Sequence, residues 1–178
     1  MQIDIDLLST WMHENKLFLN KDKCLYFEII GKCSTTRQGS LGYELNGDTL
    51  RKADSFRDLG LEVDSSLSFK VHVQNIRVLC YRLINLCFKY FIIREPAPFI
   101  RFYRVYVVPI VIYCSSIYVF VSISNIKNVE RIQKYFTKRL YARIHLNQSV
   151  PKYKLRLVEF GLYPLKVELL RFDLLNLY

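Results

Sequence analysis

Up to about residue 64 apolar side chains alternate over short runs after one opening helix, and beyond it they recur every three or four positions, so the pattern predicts strands first and helices afterwards. Ile5, Leu8 and Met12 share a helical face with Trp11 beside them, and Asp4 and Asp6 suit that helix's N-terminus through its macrodipole. Two residues apart on a helix these aspartates diverge, which argues against a magnesium pair. Residues 16–19 and 25–30 read as extended runs around the polar turn 20–23. Asn46 and Gly47, between Tyr43-Glu44-Leu45 and Thr49-Leu50, tolerate positive φ and predict a type I′ hairpin. Residues 56–63 read as one more strand, with Gly60 as a bulge inside it.

In the second part, Ile76, Leu79, Leu83, Leu86 and Tyr90 fall at helical spacing, with Arg82 and Lys89 on a polar side beside Asn75 and Asn85. A helix over 68–93 is expected, stopped before Pro96. Another starts near Pro98, carries Arg101 and Arg104, and should be kinked or divided at Pro109. Between residues 124 and 144, Lys127, Arg131, Lys134 and Lys138 stand at i, i+4, i+7 and i+11, opposite an apolar stripe of Val129, Ile132, Phe136 and Leu140. Leu155, Leu157 and Phe160 end at Gly161, and Pro164 opens a last helix with Leu165, Leu169, Phe172 and Leu175 on its face. The expected fold class is α+β, a small β-hairpin and strand piece over 1–64 followed by a mainly helical bundle over 65–178.

Residues 105–123 carry no charge and are long enough to raise a membrane span, giving the alternative reading of a small basic single-span protein flanked by Arg101, Arg104 and Lys127. Pro109 and the polar break Cys114-Ser115-Ser116 favour core segments instead. The first residues have neither the basic nor the apolar region of a secretory signal, so no export is indicated and an intracellular protein is expected. Five cysteines in 178 residues do not suggest a disulfide framework.

Charge changes the picture more than composition does. Residues 1–60 hold 8 Lys and Arg against 9 Asp and Glu, whereas residues 61–178 hold 18 against 7. The whole basic excess lies in the helical part, as expected of a lobe facing a polyanion. Like charges at i, i+4 repel by a few tenths of a kcal/mol, so an acid-free basic row is better tolerated against phosphate than alone. Catalytic motifs are missing: His13, His72 and His145 have no metal-type spacing with cysteine, Cys80 and Cys87 share an apolar helix face, and Cys24 and Cys33 lack zinc-knuckle spacing. No glycine-rich phosphate loop, nucleophile elbow or zinc-protease helix motif occurs. The residues themselves describe a basic, mainly helical binding module.

Eight blocks carry a resemblance. The stretch 2–24, with QIDIDLLSTW followed by NKLFLNKDKC, resembles the segment downstream of the catalytic Tyr-Ala-Asp-Asp block of reverse transcriptases from non-LTR (LINE-like) retrotransposons. Residues 43–47, 56–60 and 67–72 resemble the hairpin and strand that end the palm and lead into the thumb. Residues 108–113, 129–137, 153–157 and 170–174 resemble successive thumb and post-thumb blocks, so the likeness covers essentially the whole chain. The family usually has Glu where Ile112 stands, Trp near Tyr118 and Arg at Leu170, which marks this chain as divergent.

The resemblance implies a palm remnant over 1–64 and a thumb over 65–178 of an RNA-directed DNA polymerase, starting after the strands that carry the catalytic aspartates. Magnesium, held by those carboxylates in the intact family, is not expected on this chain. Lys23 matches an auxiliary palm-loop lysine near departing pyrophosphate; a solvated loop lysine is the simpler reading. Asp58, Leu59 and Gly60 match the hairpin that supports the primer end. Lys127, Arg131, Lys134 and Lys138, with Arg82 and Lys89, would hold a primer–template duplex through its phosphates, without sequence specificity. The remaining palm and fingers, or a second copy of the chain, are the implied protein partners, and a membrane partner is not expected. An independent nucleic-acid-binding protein derived from such an element is a third reading.

Overall fold

The structure, a computed structural model, describes residues 2–29, 42–119 and 121–175. Its elements are mixed α and β, with short strands early and helices later. The chain divides into two compact units, Met1–Leu67 and Ser68–Tyr178.

In the first unit, helix α1 (Gln2–Glu14) buries no residue completely; Ile5 and Met12 are half-covered while Leu8 and Trp11 are each 54% exposed. It is held by Gln2, whose carboxamide copies a strand neighbour: Nε2 donates to the Glu44 carbonyl at 2.8 Å and Oε1 accepts from its N–H at 3.1 Å. Ser9 also bonds Asn46 across the same contact. Strands β2 (Glu44–Leu45) and β3 (Asp48–Thr49) form the expected hairpin, with φ of 54° at Asn46 and 84° at Gly47, the values of a type I′ turn.

The remaining strands depart from the pattern in three places. Residues 16–19 are not a strand, because Lys16 turns with φ 57° and its N–H bonds back to His13. Strand β1 is the shorter Leu25–Phe27, and it pairs in parallel with β4 (Arg51–Ala53), a strand whose Arg-Lys start hides it from a hydrophobic pattern. Ile30, at the end of the expected run, and Cys33 lie outside the described residues. Finally, 56–63 is not one bulged strand. It is a hairpin of β5 (Ser55–Asp58) and β6 (Leu61–Asp64), turning at Leu59 and Gly60 with φ of 45° and 91°. Edge-to-face ring pairs, Phe27 on Phe56 at 4.8 Å and Tyr26 on Tyr43 at 5.2 Å, knit these strands together.

The second unit is built on α2 (Lys70–Tyr90) and α6 (Ile123–Ile144). Their contacts advance in step, Arg77 to Asn128, Tyr81 to Tyr135, Asn85 to Arg139 and Phe88 to Arg143, so the two helices run parallel. Parallel neighbours need a return path. It is supplied by α3 (Pro96–Phe102), a π turn (Tyr103–Val107), α4 (Val108–Ile112) and α5 (Ser115–Tyr118). Phe99 packs on Phe88 and Phe91 at one end, and Tyr118 packs on His72 at the other. The helices α7 (Tyr153–Glu159) and α8 (Leu165–Leu175) close the remaining side of α6.

Pro109 does not divide the return path. Lacking an N–H, it sits in the first turn of α4, and the turn before it widens so that the Val108 N–H reaches the Tyr103 carbonyl, an i to i−5 bond. The break comes later, where Tyr113 is extended (ψ 118°) and Cys114 is left-handed (φ 55°). The described residues of 105–123 are thus a series of short segments whose Val107, Val111, Tyr118 and Val119 are fully buried, and not a single spanning helix. Among the described residues no helix is long and apolar enough to cross a membrane.

Burial on α2 differs from the expectation. Leu79, Leu86 and Tyr90 are 45%, 46% and 68% exposed, while Ile76, Cys80, Ile84 and Cys87 form the core face with Val73 and Phe88. The helix is apolar on two sides, and the return path and α6 cover the one with sulfur and β-branched groups. Leu155 at 60% exposure and Phe172 and Leu175 at 37% and 68% also lie outside the core, and the buried residues of α8 are Leu165 and Leu169 in its first half.

Burial pushes the Cys80 thiol up to about 12 and the Cys87 thiol up to about 11, since a thiolate is disfavoured away from water. At pH 8 in the folded protein these two should be alkylated at least about 100-fold more slowly than the half-exposed Cys24 and Cys114. Timed labelling with iodoacetamide and peptide mass mapping checks this; equal rates would mean that the α2 face is not buried.

Candidate nucleic-acid interface

Helix α6 starts at a side-chain cap, Ser122 Oγ accepting from the Asn125 N–H at 3.1 Å. Its apolar stripe is then buried in full, Val129, Ile132, Phe136 and Leu140 being 0–1% exposed. With that face fixed, 100° per residue puts Lys127, Arg131, Lys134 and Lys138 outside, and all four are exposed. Among the described residues none of the four forms an ion pair. Arg131 Nη1 donates to Asn128 Oδ1 at 3.0 Å, and Lys134 Nζ stands 5.3 Å from the Tyr153 ring centre.

Two side chains that the hydrophobic pattern conceals hold the row's scaffold. Gln133 is completely buried; its Nε2 donates to the Tyr163 carbonyl at 2.9 Å, while Oε1 accepts from Tyr153 Oη at 2.6 Å and from the Leu165 N–H at 2.8 Å. One amide therefore fixes α7, the loop after it and the start of α8 against α6. Arg156, 7% exposed, donates to the Pro151 carbonyl at 2.7 Å and to Thr137 Oγ1 at 3.3 Å. Burial lowers its guanidinium below the usual arginine range.

Four of the five carboxylates of this unit lie on or against α7 and α8; the fifth, Glu95, precedes α3. Glu130 accepts from Tyr153 Oη and from the Lys166 N–H at 3.0 Å, Glu159 pairs with His145 Nε2 at 2.6 Å, and Asp173 accepts from Ser116 at 2.7 Å. Burial raises the Glu168 carboxyl, against the pull of Arg104 and Arg171. By contrast, residues 65–94, which contain all of α2, hold no Asp or Glu.

Arg82 and Lys89 are exposed on α2 about a quarter turn from its seam with α6, and Lys89 Nζ lies 5.6 Å from the Tyr90 ring. The seam carries cations that helical spacing alone did not single out. Arg77 Nη1 donates to Asn128 Oδ1 at 3.1 Å, the same oxygen that Arg131 uses. Further along, Arg139 and Tyr135 both bond Asn85 Oδ1, and Tyr81 packs on Tyr135 with ring centres 4.5 Å apart. Burial raises the Tyr81 hydroxyl even though Arg77 and Arg131 pull it down. The signal available in the sequence was the absence of acid across α2; which residues of α2 meet α6 depends on packing. Beyond the seam, Arg143 caps α2 by donating to the Phe88 carbonyl at 2.7 Å.

The other candidate residues belong to the first unit. Lys23 ends a single 3-10 turn (Lys21–Lys23) and is exposed, its backbone N–H bonded to the Asn20 carbonyl at 3.1 Å. Asp58 ends β5, and Leu59 and Gly60 form its hairpin tip, Leu59 being 84% exposed. An open cleft of about 710 Å³ lies between α1 and the β2–β3 hairpin, lined by Gln2, Asp6, Ser9, Tyr43, Glu44 and Asn46. Among the described residues no three His, Cys, Asp or Glu stand close enough together to hold a metal ion. No protein-family model, no curated protein and no solved structure matches the chain.

A leucine at φ 45° costs roughly 1 kcal/mol that asparagine largely avoids, and an exposed tip has little burial to lose. Leu59→Asn should stabilise the first unit by about 0.5–1 kcal/mol in urea unfolding. Destabilisation would mean that the leucine side chain holds the turn.

Proposed function

We propose that the chain holds nucleic acid through the exposed face of α6, as the palm end and thumb of a reverse transcriptase of the non-LTR retrotransposon type. The observation that carries this is the row itself: four exposed cations in line over three helical turns, with no ion pair among the described residues. Such a row has unfavourable self-repulsion in isolation, and phosphates of a duplex relieve it while releasing counterions. The contacts would go to the backbone, giving affinity and register without reading bases. Arg82 and Lys89 extend the basic surface onto the neighbouring helix α2.

On the same reading Lys23 would stand near departing pyrophosphate, and the Asp58-Leu59-Gly60 tip would support the primer end, its left-handed Leu59 and Gly60 setting the sharp turn. Magnesium would belong to the family's aspartate block, and no residue here is assigned to it. The activity proposed for these residues is binding.

Neutralising the row (Lys127→Gln, Arg131→Gln, Lys134→Gln, Lys138→Gln together) should flatten the plot of log K against log salt by roughly 0.9 for each duplex phosphate that the row holds. Fluorescence anisotropy with a short duplex oligonucleotide measures it. An unchanged slope would remove the row from the interface.

A further inference from the structure

Arg77 on α2 and Arg131 on α6 share one neutral acceptor, Asn128 Oδ1, at 3.1 and 3.0 Å, so their two Nη1 atoms lie within about 6 Å of each other. Two guanidiniums at that separation repel. Among the described residues neither forms an ion pair, and α2 has no Asp or Glu to neutralise them. The single acid on α6, Glu130, is committed to Tyr153 and Lys166. Each guanidinium has five N–H donors and spends one on Asn128, leaving forks of the geometry that matches phosphate oxygens. The Tyr81–Tyr135 ring pair is the next layer of the same seam and keeps it partly desolvated, which strengthens any charge-assisted bond made there.

We propose that Arg77, Asn128 and Arg131 form a clamp for one phosphodiester group of a nucleic-acid backbone, seated on the seam of α2 and α6. The two arginines supply the donors. Asn128 is a positioning residue that brings both forks together before the anion arrives, which lowers the ordering cost of binding. The identity of the anion rests on the nucleic-acid reading above; the existence of an anion site rests on the shared oxygen alone.

The test uses the full chain and Asn128→Asp, which keeps the side-chain shape but places a carboxylate between the arginines. In chloride buffer this variant should melt higher than the wild type, since two hydrogen bonds from guanidinium to a neutral amide oxygen become ion pairs that also offset the repulsion between the arginines. Inorganic phosphate at matched ionic strength should raise the melting midpoint of the wild type and leave that of Asn128→Asp unmoved. A variant that keeps the wild-type response to phosphate overturns the clamp. A second arm measures a short duplex oligonucleotide on Arg77→Gln, a residue outside the α6 row, and on Asn128→Asp. Affinity should fall about tenfold in each, with the salt slope reduced by about 0.9, the equivalent of one phosphate. If neutralising the row weakens duplex binding while both of these variants bind as the wild type does, the clamp is overturned and the row stands. If wild-type chain responds to phosphate but shows no salt-dependent duplex binding, the assignment to nucleic acid is overturned for clamp and row alike.

Discussion

The second unit depends on the burial of one face of α6. Val129, Ile132, Phe136 and Leu140 are all within 1% of complete burial, and each such side chain contributes about 1.5–3 kcal/mol relative to exposure. Covering that stripe recruits α2, α3, α7 and α8, whose packing sets the shape of the unit. The same rigid rotation that turns the stripe inward turns the four cations outward. Core and charged ridge are two sides of one 22-residue helix, so neither can be rearranged without the other.

Polar groups inside this arrangement decide which neighbours α6 accepts. An apolar stripe alone would tolerate sliding and rotation of α7 and α8. Gln133 removes that freedom, because its amide satisfies the Tyr163 carbonyl, the Leu165 N–H and Tyr153 Oη at once, and any shift leaves buried groups unpaired. Arg156, in the middle of α7, acts similarly on Thr137 and on the Pro151 carbonyl before the helix, and Asn125 Nδ2 ties the first turn of α6 to the Ser68 and Tyr118 carbonyls at 3.0 and 2.9 Å. Glu130, Glu159 and Asp173 are engaged on the α7 and α8 side, and the seam with α2 is left cationic.

The first unit follows a different logic. Among the described residues its strands are two to four residues long and pair only two at a time, so turns and side-chain amides carry much of its definition. Asn46-Gly47 and Leu59-Gly60 both take the positive φ values of a tight hairpin, but only the first has the residue that favours them. A leucine held in that region and pointed into solvent is a local conformational cost.

Periodicity in the amino-acid sequence was enough for the α+β class, the switch from short strands to long helices, the Asn46-Gly47 hairpin, and both faces of α6, since each follows from local turn chemistry or from one helix's own 3.6-residue repeat. It was not enough wherever a segment had two acceptable faces or partners. On α2 the leucine stripe and the Ile76, Cys80, Ile84 stripe are both apolar, and only the return path and α6 chose between them. The parallel pairing of β1 with β4 joins segments about 26 residues apart and leaves no local mark. The hairpin at Leu59 lacks the usual asparagine, and Pro109 was absorbed by a wider turn while Cys114 made the break. The meeting of Arg77 and Arg131 on one oxygen is a fact of helix packing: neither spacing nor charge counts can reveal which side chains two separate helices will bring together.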